Sequence, residues 1–305
     1  MRGNALLSPH QLRRAGERGG ASYFARRRSP GSLLLPFGLG VRSNAAAARL
    51  NRRQLCIVSR SPATGGRTTT RGSIKSPTEI LDYWFGASRS EWDRKSSPPE
   101  ELEEVQLALW WGRRPGGCLP LDVETQRQMA SELANIFQDT VVAGEQGILT
   151  QGDTPWTEAK ESEGGLAMII LNGFIHRLMH GNNKTKVLEH EHVAITLASY
   201  MVALNADSSK DYGYTGFERM FIYLPLLFSG DQKDVVVGAQ KINDMLDEIG
   251  VAYTESQTLI CLRDCQRDIV EAWAKFGNNP YRKMLAEATE PLSNEEIEFV
   301  HNKPW

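Results

Sequence analysis

The chain has 305 residues, 41% hydrophobic and 24% charged, with a formal net charge of −2. The near-neutral total conceals a division: residues 1–76 hold fourteen arginines, Lys75 and one acid, Glu17, about +14, and the rest carries about −16. An acidic body excludes nucleic acid as a partner, because neutralising phosphates takes a concentrated basic face.

The basic segment is rich in Arg, Ser, Gly and Ala and is broken by Pro9, Pro30, Pro36 and Pro62. Acid-poor, arginine- and serine-rich N-termini have the composition of organelle transit peptides. Residues 1–76 are therefore expected to be a disordered transit peptide handled by the import machinery and cleaved between Arg53 and Ser76. The expected address is mitochondrial, since arginine outweighs hydroxyl residues, with a plastid as the alternative. The apolar patch from Leu33 to Val41 is interrupted by Pro36 and two glycines. It falls far short of the roughly 20 residues a membrane span needs, so no span is expected.

Residues 77–305 are expected to form one all-α domain. Ser76 can cap a helix, Pro77 suits its first position and Glu79 completes a capping box; Ile80, Leu81, Trp84 and Phe85 follow at helical spacing up to Gly86. Ser97-Pro98-Pro99-Glu100-Glu101 opens a second helix, running to Trp110-Trp111 and Gly112. Met129, Leu133, Ile136, Phe137 and Val141 mark a third, ending near Gly144. Residues Gln146 to Glu163 read as a loop. A strongly apolar helix from Leu166 to Leu178 closes at Gly181-Asn182-Asn183, and the next carries Val187, Ala194, Leu197, Ala198, Met201 and Val202. Thr215 with Glu218 forms another capping box, leading to Leu227, with Pro225 expected to kink or end that helix. Val235 to Ile249 follows, stopped at Gly250. Thr254 with Gln257 is read as the start of a long helix reaching Phe276 and Gly277. A short helix after Tyr281 and one capped at Ser293 finish the chain. Alternating strand runs are missing. The reading is nine or ten helices packed as antiparallel neighbours in one compact unit.

The standard catalytic patterns are absent: no phosphate-cradling glycine loop, no nucleophile elbow, no HExxH. His190-Glu191-His192 offers no chelate, because adjacent helical positions point about 100° apart. His176 and His180 share a face at i, i+4 and are read as surface or packing residues. No metal and no cofactor is expected. Cys56, Cys118, Cys261 and Cys265 show no CxxC spacing and are read as inert, the last two buried on one helix face. Trp84, Phe85, Trp110, Trp111, Phe217, Phe221, Tyr223 and Trp273 are mostly core. Arg177, Glu218, Arg219 and Arg267 on otherwise apolar helices must be paired or reach a cavity.

On these residues the chain resembles the largely bacterial family called domain of unknown function 924, all-α proteins likened to tetratricopeptide-type folds. The similarity lies in Ile80-Leu81-Asp82-Tyr83-Trp84-Phe85-Gly86, Leu166 to Gly181, Glu218 to Pro225, and Phe276-Gly277 with Pro280-Tyr281-Arg282. Four stretches depart. The family's Leu-Asp-Gln-Phe-Pro-Arg-Asn stands here as Leu171-Asn172-Gly173-Phe174-Ile175-His176-Arg177. Its His-Ser-Glu is Phe228-Ser229-Gly230, its late His-Arg pair is Gln266-Arg267, and its Pro-His-Arg-Asn is Pro280-Tyr281-Arg282-Lys283. Asp, His and Glu positions are replaced while apolar and aromatic ones are kept, so the resemblance implies a retained scaffold and, if the family has a carboxylate–histidine site, one without its proton-transfer groups.

The expected function is a non-catalytic organellar binding or scaffold domain offering a groove to a protein, peptide or small molecule. The alternative is an enzyme of unassigned class, a hydrolase among the options. The ligand-binding candidates in either case are Arg177, Glu218, Arg219, Tyr223, Ser229, Arg267, Arg282, Trp84 and Trp111.

Overall fold

Every regular element that the computed structural model describes is helical, with no strand among the described residues. Those residues are 73–86, 100–112, 121–158, 161–181, 183–207, 213–250, 256–285 and 291–303, all within one compact unit spanning 50–305. Residues 1–72, with Cys56, and the positions Ser97, Pro98, Pro99, Cys118, Asn182 and Thr254 of the sequence analysis lie outside them.

The elements are α1 (Pro77–Phe85), α2 (Glu100–Trp111), α3 (Val123–Glu145), α4 (Pro155–Glu158), α5 (Glu161–Ile170), α6 (His176–His180), α7 (Lys184–Ala203), α8 (Gly216–Leu227), α9 (Gln232–Ile249), α10 (Gln257–Phe276), α11 (Pro280–Leu285) and α12 (Asn294–Asn302). Leu171–Ile175 is a π-helical turn that joins α5 to α6. The helix starts follow capping chemistry. Glu79 N–H donates to Ser76 Oγ at 3.2 Å while Ser76 N–H donates back to Glu79 at 2.9 Å. The same reciprocal box closes α8 through Thr215 and Glu218 and α12 through Ser293 and Glu296. Each box satisfies two amide donors that a helix start otherwise leaves orphaned.

Two sequence expectations need correction. The stretch 146–163 is not wholly a loop: a 3₁₀ turn at Ile148–Thr150 and the one-turn α4 occupy it, and α5 already begins at Glu161. Leu149 and Trp156 anchor it in the core, and Trp156 Nε1 donates to the Lys75 carbonyl at 2.8 Å. Elements this short have no periodicity to read. The cap of α10 is Ser256, whose side chain accepts from Leu259 N–H at 3.3 Å.

The core is built around α8. Of its twelve residues all but Arg219 are buried, as expected of a helix apolar on every side. It lies against α5, α7, α9 and α10. Phe221 sits at the centre of an aromatic cluster, its ring 5.5 Å from those of Trp84 and Phe85, 5.1 Å from Trp110 and 5.0 Å from Phe174. Most contacts are edge-on, the arrangement ring quadrupoles favour. Helices α8 and α9 approach closely enough to demand a glycine: a Cβ on Gly238 would lie 2.8 Å from the Leu227 nitrogen. Pro225 lacks the amide that would bond back to Phe221, and α8 ends two residues later at Leu227. Cys261 and Cys265 are buried on α10. Among the described residues no helix is long and apolar enough to cross a membrane.

Candidate functional site

The π-turn places the residues that follow it. His176 N–H reaches back five residues to the Leu171 carbonyl, so the chain after 175 is rotated relative to a continuous α-helix. Wide turns of this kind are frequent at functional sites. Beside it a depression opens. Gly173 and Phe174 line it from the π-turn, Arg177 from α6, and Glu191, Ala194 and Ile195 from α7; Pro225 and Phe228 close it at the end of α8. It encloses about 280 Å³, counting the part open to solvent.

Its walls are apolar and its mouth is charged. Arg282 Nη1 donates to Glu191 Oε2 at 2.7 Å and lies 3.4 Å from the Phe228 carbonyl. Gly230 leaves room for that arm, since a Cβ there would stand 3.0 Å from Arg282 Nε. Arg177 is held more loosely: its Nη1 is 3.6 Å from Glu191 Oε1, its side chain is 42% exposed, and its guanidinium lies 5.7 Å from the centre of the Phe228 ring. Glu191 itself is nearly buried, so two guanidiniums compensate a carboxylate that water cannot.

The other sequence candidates go elsewhere. Ser229, next to the depression, donates to Asp234 at 2.8 Å and accepts from Asp231 N–H at 3.1 Å, shaping the turn into α9. Tyr223 points into the interior and donates to Asp207 at 2.8 Å, where Lys241 also bonds. Burial first, and then the Asp207 charge, push its phenol far above the ordinary tyrosine value, so it stays a donor. Glu218 serves the Thr215 cap. Arg219 reaches outward to Glu248 at 2.7 Å, and Arg267 pairs with Asp264 and Asp268 on the surface of α10. Trp84 is fully buried in the aromatic cluster and Trp111 is half-buried at its edge. Arg177 and Arg282 are thus brought together; Glu218, Arg219, Tyr223 and Arg267 are not.

Glu191, Phe228 and Gly173 were not among the candidates. A signal for Glu191 existed: Val187, Glu191, Ala194, Ala198 and Met201 form one buried stripe along α7, and an acid inside such a stripe needs a partner.

The described residues define an all-α domain with a half-open, arginine-rimmed cleft. A family model described as "Bacterial protein of unknown function (DUF924)" matches residues 80–303, and the chain belongs to that family. Comparison with curated proteins and with solved structures gives no match. Three of the four stretches that depart from the family pattern, at 171–177, 228–230 and 280–283, converge on the depression. The fourth does not: Gln266 is buried against α9, donating to Asn243 at 3.2 Å.

Proposed function

We propose that this chain is a non-catalytic binding domain whose depression takes the carboxylate end of a small molecule or peptide with an apolar stem. The observation that carries the reading is Arg177, a loosely held, half-exposed guanidinium at the mouth of an apolar cleft. A carboxylate can accept a forked pair of hydrogen bonds from such a group, while Phe174, Ile195 and Phe228 receive the stem. The depression is small and partly open to solvent, which suits the end of a ligand and not a whole cofactor. Its lining holds no histidine, cysteine or hydroxyl side chain, and Glu191 is already engaged by two guanidiniums. That composition supports binding over acid–base chemistry.

The probe is hexanoate, with hexylamine as the cationic control, each followed by saturation-transfer NMR on the full chain. Hexanoate should receive saturation and hexylamine should not; Arg177→Ala should abolish the signal and Arg267→Ala should keep it. Equal signals from the two probes would sink the binding mode. Hydrolysis of p-nitrophenyl hexanoate that disappears in Glu191→Gln would replace this reading with the enzyme one. The composition of residues 1–76 supports an organellar address, mitochondrial before plastid. A fusion of residues 1–76 to a fluorescent reporter should collect in the organelle, and a diffuse cytosolic signal would remove that part of the proposal.

A further inference from the structure

A second polar cluster stands next to the two arms of the depression. His176 precedes Arg177 and His190 precedes Glu191, and both imidazoles face Glu145, the last residue of α3. The rings stack with centroids 3.3 Å apart and planes 16° from parallel. Nε2 of each lies 3.6 Å from Glu145 Oε1. One ligand atom from each of the three side chains falls within 4.8 Å of the others. His176 is 1% exposed, yet neither of its ring nitrogens has a hydrogen-bond partner. Buried polar atoms in that state call for an explanation, and a bound ion is one.

The protonation pattern adds to this. Asn172 donates through Nδ2 to the Met168 carbonyl at 2.9 Å, which turns its Oδ1 toward His190 Nδ1, 2.8 Å away. Nδ1 of His190 therefore carries a proton, and in the neutral ring Nε2 presents a lone pair to a carboxylate oxygen. Two acceptors face each other with no proton between them. Burial is the main cause that keeps the His190 imidazole below its ordinary value. Burial, then His190, His180 and Lys186, takes His176 down to about 3. Neutral imidazole is the form that binds metals. The cation at hand is Lys186, 2.9 Å from Glu145 Oε1, on a side chain 42% exposed and able to swing into solvent.

We propose that Glu145, His176 and His190 form a site for a divalent transition metal ion of the zinc type. Two imidazole nitrogens and one carboxylate oxygen would bind it, with water in the fourth position. This donor set suits zinc. Bonds of about 2.0–2.1 Å in a tetrahedron need donors roughly 3.3 Å apart, close to the two 3.6 Å separations already present. Binding asks the stacked rings to fan apart and Lys186 to leave Glu145. The Asn172 contact orients His190 from behind, as outer partners of metal-bound histidines do. The carbonyl end of α3 adds negative potential. The ion would tie α3, α6 and α7 together, whatever occupies the depression.

The test is titration of the chelator-stripped full chain with Zn²⁺ by calorimetry and with Co²⁺ by visible absorption. We expect one ion per chain at micromolar affinity or tighter, with Co²⁺ bands of tetrahedral intensity. Glu145→Gln and His190→Gln, at partly open positions, should each weaken binding roughly ten- to a hundredfold while helical circular dichroism is retained; exposed His192→Gln should leave it unchanged. In the wild-type chain Co²⁺ should shift the ring signals of two histidines, a readout that does not depend on any variant folding. Uptake only at millimolar ion, affinity undiminished in both variants, or shifted cysteine signals in place of histidine ones would each overturn the site.

Discussion

At Glu296 three donors converge on one carboxylate: the Ser293 amide at 2.7 Å, Asn278 Nδ2 at 3.0 Å and Lys283 Nζ at 3.2 Å. Burial alone would raise its pKa, but these bonds outweigh burial and hold it down to about 2. A carboxyl lowered on folding contributes stability above its unfolded value, and that contribution is lost as pH falls toward the folded one. The docking of α12 on α11 should therefore weaken from about pH 4.5 down to about 2. Glu296→Gln should lower stability at pH 7 and flatten the acid limb of a urea-denaturation series; an acid limb identical to wild type would contradict the assignment. Residue-scale features divide cleanly by reach. The Ser76, Thr215 and Ser293 boxes are legible because both partners lie within four residues. The partners of Glu191 are not, since Arg177 and Arg282 lie on other helices, the second of them 91 positions away. His176 and His190 look unrelated in the sequence until two helices stack their rings.

Among the elements, α8 concentrates the core. Phe221 touches four other aromatic rings from α1, α2 and the π-turn. Phe221→Ala should cost about 3–5 kcal/mol, measured as a lower urea midpoint with an unchanged slope; a loss below about 1 kcal/mol would mean the cluster collapses to fill the hole. The helical character of α8 was legible from its capping box and apolar run, and its limit near Leu227 from Pro225. The π-turn was not. Its sequence, Leu171-Asn172-Gly173-Phe174-Ile175, keeps an apolar pattern that an ordinary helix would also show, and a glycine is its single local irregularity. Gly173 admits close approach to α7, with Ala194 Cβ only 3.2 Å from where its own Cβ would be. The one-turn α4 was hidden for the opposite reason, being too short to repeat anything.

Across the whole molecule, the all-α class and the family were readable because both rest on patterns spread over more than two hundred residues, 80–303 in the family match. The site was half readable: the resemblance marked the stretches that diverge, but only folding shows that three of them meet in one place and that Gln266-Arg267 does not join them. Assembly order follows from that topology. A chain leaving the ribosome exposes Arg177 and Glu191 early, whereas Arg282 arrives 91 residues after Glu191. Until α11 docks, the Glu191 carboxylate has one loose counter-charge instead of two. The charge balance at the mouth of the cleft is thus completed by a segment far along the chain from the helices that line it, so ligand affinity there should report whether α11 has docked.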